Sequence, residues 1–330
     1  MRILGISAIL VACLALAGCS TVVGDTDQGL PPRPPENTGS IAVPVTPAAQ
    51  GQDEPQPFDG QRSAMPEAQP RMVALMPRPP MQQSAVPEPP SSAATLPLRE
   101  RIYGRRFRDA KPINFGRASP RVFAVHGVDV SRWQGAIDWQ TLRAQGANFT
   151  FIKATDGGDH LDPMFKRNWR AAHEAGLRRG AYHFFYWCRS AAEQARWFIR
   201  NVPREKNALP PVLDVEWNSD SACKAIPSPA QVQEKMRVFI SMVERHYGQR
   251  PIIYTAPGFY HDNLEGAFLD YPFWLRSVAQ HPSKVFEDRK WLFWQYSGSG
   301  LSQGVDGKID LNVFNGSADA WYRWVSENAG

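Results

Sequence analysis

From residue 122 onward, short apolar runs alternate with stretches whose apolar residues recur every three or four positions. These are the periods of buried strands and amphipathic helices. Runs at 122–130, 148–154, 180–186, 212–215 and 251–255 read as strands. Between them, Asp138 caps a short helix through Leu142, and Asp162-Pro163 opens a helix that carries Phe165, Trp169 and Ala172 and ends near Gly176. Residues 190–202 form another helix. In the longest helix, Ser228 is the N-cap, Pro229 the first helical residue and Gln231 the capping-box partner. Val232, Met236, Phe239, Ile240 and Val243 share one face of it, and Gly248 ends it. Past 255 the helical period fades, and 273–276, 292–296 and 309–312 read as strands joined by loops. Strand–helix alternation implies a parallel sheet. Eight strands with helices in only the first five units predict an α/β fold, a TIM-type barrel with a modified last part.

The chain before this region has a different texture. After Met1-Arg2, an apolar run to Ala17 is too short to span a membrane comfortably and reads as a signal peptide, residues 1–18. It ends Leu16-Ala17-Gly18-Cys19, similar to a bacterial lipobox, so Cys19 is the expected lipidation site and the expected tether to a membrane. Cell-envelope localisation follows, in the periplasm or at the outer membrane if the source is a diderm bacterium. Residues 19–98 hold most of the chain's prolines and one aromatic, Phe58. Such a segment buries too little apolar area to offset its ordering entropy and is expected to be a disordered, extended linker. Residues 99–121 form a basic lead-in: Arg99, Arg101, Arg105, Arg106, Arg108, Lys111, Arg117 and Arg121 stand against Glu100 and Asp109. Two readings stay open. The lead-in meets an anionic envelope polymer, or it is solvated while Ile102, Tyr103, Phe107 and Phe115 pack on the domain at 122–330. The formal net charge of +5 is mild and makes no case for nucleic acid. Of four cysteines, Cys13 leaves with the signal and Cys19 is the anchor; Cys188 and Cys223 are the expected disulfide of an exported protein.

The candidate chemistry lies at strand ends. Val212-Leu213-Asp214-Val215-Glu216-Trp217 runs from an apolar strand into acids, with Asp214 and Glu216 on the same side. Close carboxylates repel, which raises the pKa of one and prepares a general acid. Alone, the same pair could be an idle, solvated strand exit. Asp129 ends the first strand and Asp310 falls on the last, so four acids collect where a β/α barrel places its function. Glycoside hydrolysis needs an acid, a second carboxylate, and aromatic and polar surface for sugars. Tyr182, His183, Trp217, Tyr254, Trp274, Trp294 and Gln295 supply candidate substrate contacts. His126 and His183 also read as hydrogen-bonded structural histidines.

The blocks 126–135 (HGVDVSRWQG), 151–157 (FIKATDG), 180–184 (GAYHF), 213–216 (LDVE), 293–296 (FWQY) and 309–312 (IDLN) resemble, in order, the family 25 glycoside hydrolases, the Chalaropsis-type lysozymes. The resemblance covers about 125–316. It implies a (β/α)5(β)3 barrel and cleavage of the β-1,4 bond between N-acetylmuramic acid and N-acetylglucosamine in peptidoglycan, without metal or cofactor. By position it makes Glu216 the general acid, Asp129 and Asp214 its supporting acids, Asp310 a further site aspartate and Tyr182 a substrate contact. Asp156 stands where the family often has Glu. The segment from Cys188 to Cys223 carries an extra cysteine pair, and the proline-rich linker lies outside the resemblance. The nearest rival is a chitinase-like barrel enzyme, whose longer D-x-x-D-x-D-x-E run is missing before Asp214. A non-catalytic peptidoglycan-binding lipoprotein is the rival from another class; it would not need all four acids.

Overall fold

The computed structural model describes residues 101–330 except 220 and 288. The signal peptide, the Cys19 anchor and the linker expected from the sequence lie outside the described residues.

Eight strands close into a barrel: β2 (His126–Val130), β3 (Phe149–Asp156), β5 (Arg178–Phe184), β6 (Val212–Val215), β7 (Ile252–Thr255), β8 (Phe273–Arg276), β9 (Phe293–Leu301) and β10 (Ile309–Phe314). Two short strands are attached, β1 (Arg108–Asp109) on β9 and β4 (His160–Leu161) on β3. From β2 to β9 all neighbours in the ring are parallel. Strand β10 runs antiparallel to both β9 and β2, so the ring departs from an all-parallel β/α barrel at its closure.

Helices α1 (Trp139–Ala144), α2 (Phe165–Glu174), α3 (Ala191–Asn201), α4 (Pro229–Tyr247) and α5 (Pro257–Asn263) follow the first five barrel strands. Helix α4 forms as its sequence specifies. Ser228 and Gln231 close a reciprocal capping box, Pro229 occupies the first turn, and Gly248 leaves the helix at φ 70°. Its apolar stripe is buried against α3 and the strands. Asp162 behaves differently from expectation. Its carboxylate accepts from the Met164 amide at 2.8 Å and, across the chain, from the Arg132 amide at 2.9 Å, and α2 begins only at Phe165.

The last strands carry little helix on their outer face; only α6 (Pro282–Val285), a single turn, lies between β8 and β9. The lead-in takes that place. The Tyr103 amide donates to Asn148 Oδ1 at 2.8 Å, β1 pairs with the end of β9, and Phe107 is buried. Phe115 and Phe123 set their edges on Trp294 at 5.0 and 6.4 Å. Arg101, Arg106, Arg108, Lys111, Arg117 and Arg121 point to solvent. Its aromatics therefore pack on the domain.

Two cores result. One lies between strands and helices. The other fills the barrel, with Phe149, Phe151, Trp274, Phe293 and Phe314 interlocked. Small residues face large ones there: a Cβ on Gly127 would lie 2.6 Å from the Phe149 ring, and one on Gly180 2.7 Å from Phe151. Helix α7 (Ala318–Asn328), absent from the sequence expectation, inserts Trp321 and Val325 among these rings. It follows β10, whose reversed direction delivers the chain to the N-terminal end of the other strands. That end is thus plugged, and the C-terminal end is the mouth.

Candidate active site

Strand alternation decides what reaches the mouth. Asp129 and Asp310 are direct partners across β2 and β10, so their side chains share the inner face. Asp214 pairs with Phe184 on β5 and Tyr254 on β7, and Glu216 follows on the same side just beyond β6. Asp129, Asp214 and Glu216 are buried and Asp310 is half-buried. The four acids sit on strand ends around one opening.

Beneath them runs a chain of oriented polar groups. The Tyr254 hydroxyl donates to Gln295 Oε1 at 2.9 Å, and Gln295 Nε2 donates to Asp129 Oδ1 at 2.9 Å. From the other side, Trp274 Nε1 donates to Asn312 Oδ1 at 2.8 Å, and Asn312 Nδ2 donates to Asp129 Oδ1 at 2.7 Å. An indole N–H can only donate, which fixes the Asn312 amide and turns its NH2 toward Asp129. Tyr254, Trp274 and Gln295, expected as substrate contacts, are buried with their polar atoms engaged inside the protein.

Burial raises the Asp129 carboxyl to about 6, against the pull of the two amides and of Arg276. Asp214 is held well above the usual carboxylate range by burial, then by the charge of Glu216 and a hydrogen bond with it, while Lys153 opposes the shift. Its Oδ1 is buried with no hydrogen-bond partner among the described residues. Asp310 is raised by burial and by Asp129. Sequence reasoning had Glu216 holding a proton among charged neighbours. In the structure Asp129, Asp214 and Asp310 are all raised, because all three are desolvated together.

Tyr182 is on the inner face, nearly buried, and its phenol is kept neutral by burial and the surrounding acids. Trp217 sits at the rim, half-buried, with Nε1 donating to Asp262 Oδ2 at 2.8 Å and its ring edge-on to Phe259. Two expected substrate contacts face elsewhere. His183, adjacent to Tyr182, points outward into the helix layer. It is fully buried, bonded to Thr155 Oγ1 at 2.8 Å and Gln194 Oε1 at 3.1 Å, and stacked on Phe239. Burial lowers its pKa to about 4, so it is a neutral structural imidazole. Trp294 likewise faces outward, donating to the Ser277 carbonyl at 2.7 Å beneath the lead-in aromatics. Both misplacements have one cause: strands buried on both faces carry large residues on both, so residue type does not reveal the face.

Sequence reasoning also missed two cations. Lys153 shares the inner face with Tyr182 and pairs with Asp156 at 2.8 Å; Arg276 shares it with Gln295. Each is a single charge at the end of an apolar strand, in phase with the inward-facing positions, and that phase was the available signal. The expected disulfide is formed: Cys188 and Cys223 are bridged with Cα atoms 5.6 Å apart. Among the described residues no group of three His, Cys, Asp or Glu is arranged to hold a metal ion.

Carboxyl groups of unequal environment gathered at the open end of a barrel suit the chemistry of glycoside hydrolysis. Residues 128–305 match the family described as Glycosyl hydrolases family 25. The chain belongs to this family and is an enzyme. It is 40% identical over 238 residues to YegX of Escherichia coli (strain K12), covering 71% of this chain and 84% of that protein. It is 35% identical over 202 residues to Lysozyme M1 of Streptomyces globisporus, covering 59% and 69%. Among solved structures, a family 25 glycosyl hydrolase from Bacillus anthracis superposes with a TM-score of 0.57 at 39% identity, covering 61% of this chain and 94% of that one. The bacterial lysozyme of Streptomyces coelicolor gives 0.55 at 34% identity, covering 62% and 98%.

Proposed function

We propose that the protein is a peptidoglycan hydrolase of the N-acetylmuramidase type, cleaving the β-1,4 bond between N-acetylmuramic acid and N-acetylglucosamine. The observation that carries the reading is the gathering of Asp129, Asp214, Glu216 and Asp310 at one barrel mouth. The relatives named as lysozymes support the choice of substrate.

In this mechanism Glu216 and Asp214 share a proton through their hydrogen bond, and Glu216 delivers it to the glycosidic oxygen. With that proton gone both carboxylates are ionised, beside the positive charge growing on the sugar. Asp214 stabilises that charge, either on the ring or on a 2-acetamido group attacking from within the substrate. Asp129, held by two amide donors, orients the groups and water around it. Tyr182 and Trp217 contact the glycan. Glu216→Gln keeps the carbonyl acceptor and removes the transferable proton, so release of reducing ends from purified peptidoglycan should fall on the order of 10³- to 10⁴-fold with the fold intact. Wild-type release by that variant would refute the assignment.

The same reading gives the domain a lipid anchor at Cys19 with the linker as spacer. The solvent-facing cations of the lead-in would meet an anionic envelope polymer. Salt-dependent retention on envelope fractions should drop when those cations are replaced by glutamine; unchanged retention would remove the polymer from the account.

A further inference from the structure

Strand β6 stops at Val215, yet the proposed acid is the next residue, so something beyond the sheet must hold it. On the β7 side the Thr255 hydroxyl donates to the Val215 carbonyl at 3.0 Å. On the β5 side the ladder ends with the Phe185 amide donating to the Asp214 carbonyl at 3.0 Å. The Glu216 peptide carbonyl lies past both bonds, in a buried place where an unpaired acceptor is costly. Its donor comes from outside any strand: Trp187 Nε1 reaches it at 2.7 Å.

Residues 185–189 lie alongside 214–218 as a splint. Asn218 Nδ2 donates to the Phe185 carbonyl and Asn218 Oδ1 accepts from the Trp187 amide, both at 3.0 Å. Lys235, projecting from α4, donates through Nζ to the carbonyls of Trp187 and Arg189, both at 2.8 Å. The Cys188–Cys223 bridge ties the same segment to the loop that leaves Asn218. The Trp187 indole is 1% exposed, stacked on Phe259 at 5.0 Å and tilted against Phe185 at 4.7 Å. It cannot swing away without opening the layer around it.

We infer that Trp187 is a positioning residue for Glu216, and that Lys235 holds Trp187 in register from the helix behind it. The inference rests on the reading of Glu216 as the general acid. Trp187 touches no substrate. It acts by fixing the peptide from which the Glu216 carboxyl projects, and displacement of a reacting group by about 1 Å can cost on the order of 100-fold in rate.

Trp187→Phe keeps the aromatic stack and removes the indole N–H. Lys235→Met keeps the aliphatic stem and removes the clamp. Both should be assayed on solubilised peptidoglycan strands well below their melting temperatures, beside Glu216→Gln. The expected result is a loss in kcat of roughly ten- to a hundred-fold for Trp187→Phe and less for Lys235→Met, with KM within about twofold. The double variant should lose less than the product of the two, since both act on one segment. Wild-type kcat in both folded single variants overturns the inference, as does a loss that appears in KM alone. If Trp187→Phe fails to fold, Lys235→Met and its kcat-against-KM split decide. The two failures separate cleanly. An inactive Glu216→Gln beside fully active Trp187→Phe and Lys235→Met removes the positioning role and leaves the enzyme reading standing. A fully active Glu216→Gln removes the reading itself.

Discussion

Tyr182 and His183 are adjacent in sequence, both buried, and face opposite ways. The first looks into a barrel mouth crowded with carboxyl groups; the second is stacked on Phe239 in the layer between barrel and helices. The same division separates Gln295 from Trp294 and Asp214 from Leu213. On the parallel strands the inner face is polar toward the C-terminal end and mostly apolar below, while the outer face is mostly apolar, broken by the neutral imidazoles of His126 and His183 and by the Arg179–Glu205 ion pair. In this barrel, facing decides a residue's role more than chemical type does. The outer face in turn has two covers. Five helices seal the first strands. The lead-in covers β9, with Phe115, and Phe123 just beyond it, against Trp294. Of the two readings left open for the lead-in, the packing of its aromatics on the domain is seen in the structure.

The comparison predicts that inner and outer changes separate activity from stability. Glu216→Gln should show the largest effect, at least 10³-fold in activity, equivalent to about 4 kcal/mol of barrier, with little change in denaturation midpoint. Trp294→Ala should do the reverse. Removing a fully buried indole costs about 4 kcal/mol of stability by urea titration, while kcat of the folded fraction stays near wild type. A Trp294→Ala enzyme with normal stability and lost activity would abolish the division. Replacing Cys188 and Cys223 with serine releases a loop of sequence separation 35, worth about 3 to 4 kcal/mol in the chain-entropy account, and the loss should appear in the same titration.

Much of this division was legible before the structure. The caps and the apolar stripe of α4 were explicit because Ser228, Pro229, Gln231 and Gly248 each have a local stereochemical reason to stand where they do. The acids at strand ends were legible because Asp214 and Glu216 interrupt apolar runs in phase. What stayed hidden depends on contacts between distant segments. The facing of His183 and Trp294 needed the register of β5 and β9. The reversal of β10 left no local mark, and with it went α7, whose Ser317 cap and Trp321–Val325 spacing were present but faced a barrel end not yet located. Lys153 and Arg276 were passed over because one charge at a strand end is also what a solvated exit looks like.

The smallest and most discriminating test sets the inner carboxyls against the outer imidazoles over one pH window. Asp129 has an ordinary value of 3.8 and is raised to about 6 in the fold, so between these values the native state binds a proton that the unfolded chain does not. Its contribution therefore falls as pH rises, by at most about 3 kcal/mol. Asp214 and Asp310 are raised too and act with the same sign. His126 and His183, buried neutral on the outer face, are lowered from 6.5 to about 3 and about 4, so the unfolded chain binds their protons first and their contribution rises with pH over the same range. The lowered carboxylates Asp109, Asp138 and Glu193 lose stabilisation only at more acid pH. Opposing slopes flatten the wild-type curve, so the sign must be read from a difference. Asp129→Asn keeps the acceptor for Gln295 and Asn312 and never ionises. Relative to wild type, its unfolding free energy should climb from about pH 4 to pH 7 and level off once Asp129 is ionised in both states, while its hydrolysis falls. A difference that is flat or descends across that window would mean that Asp129 is already charged at acid pH and that desolvation at the mouth is not what governs these acids.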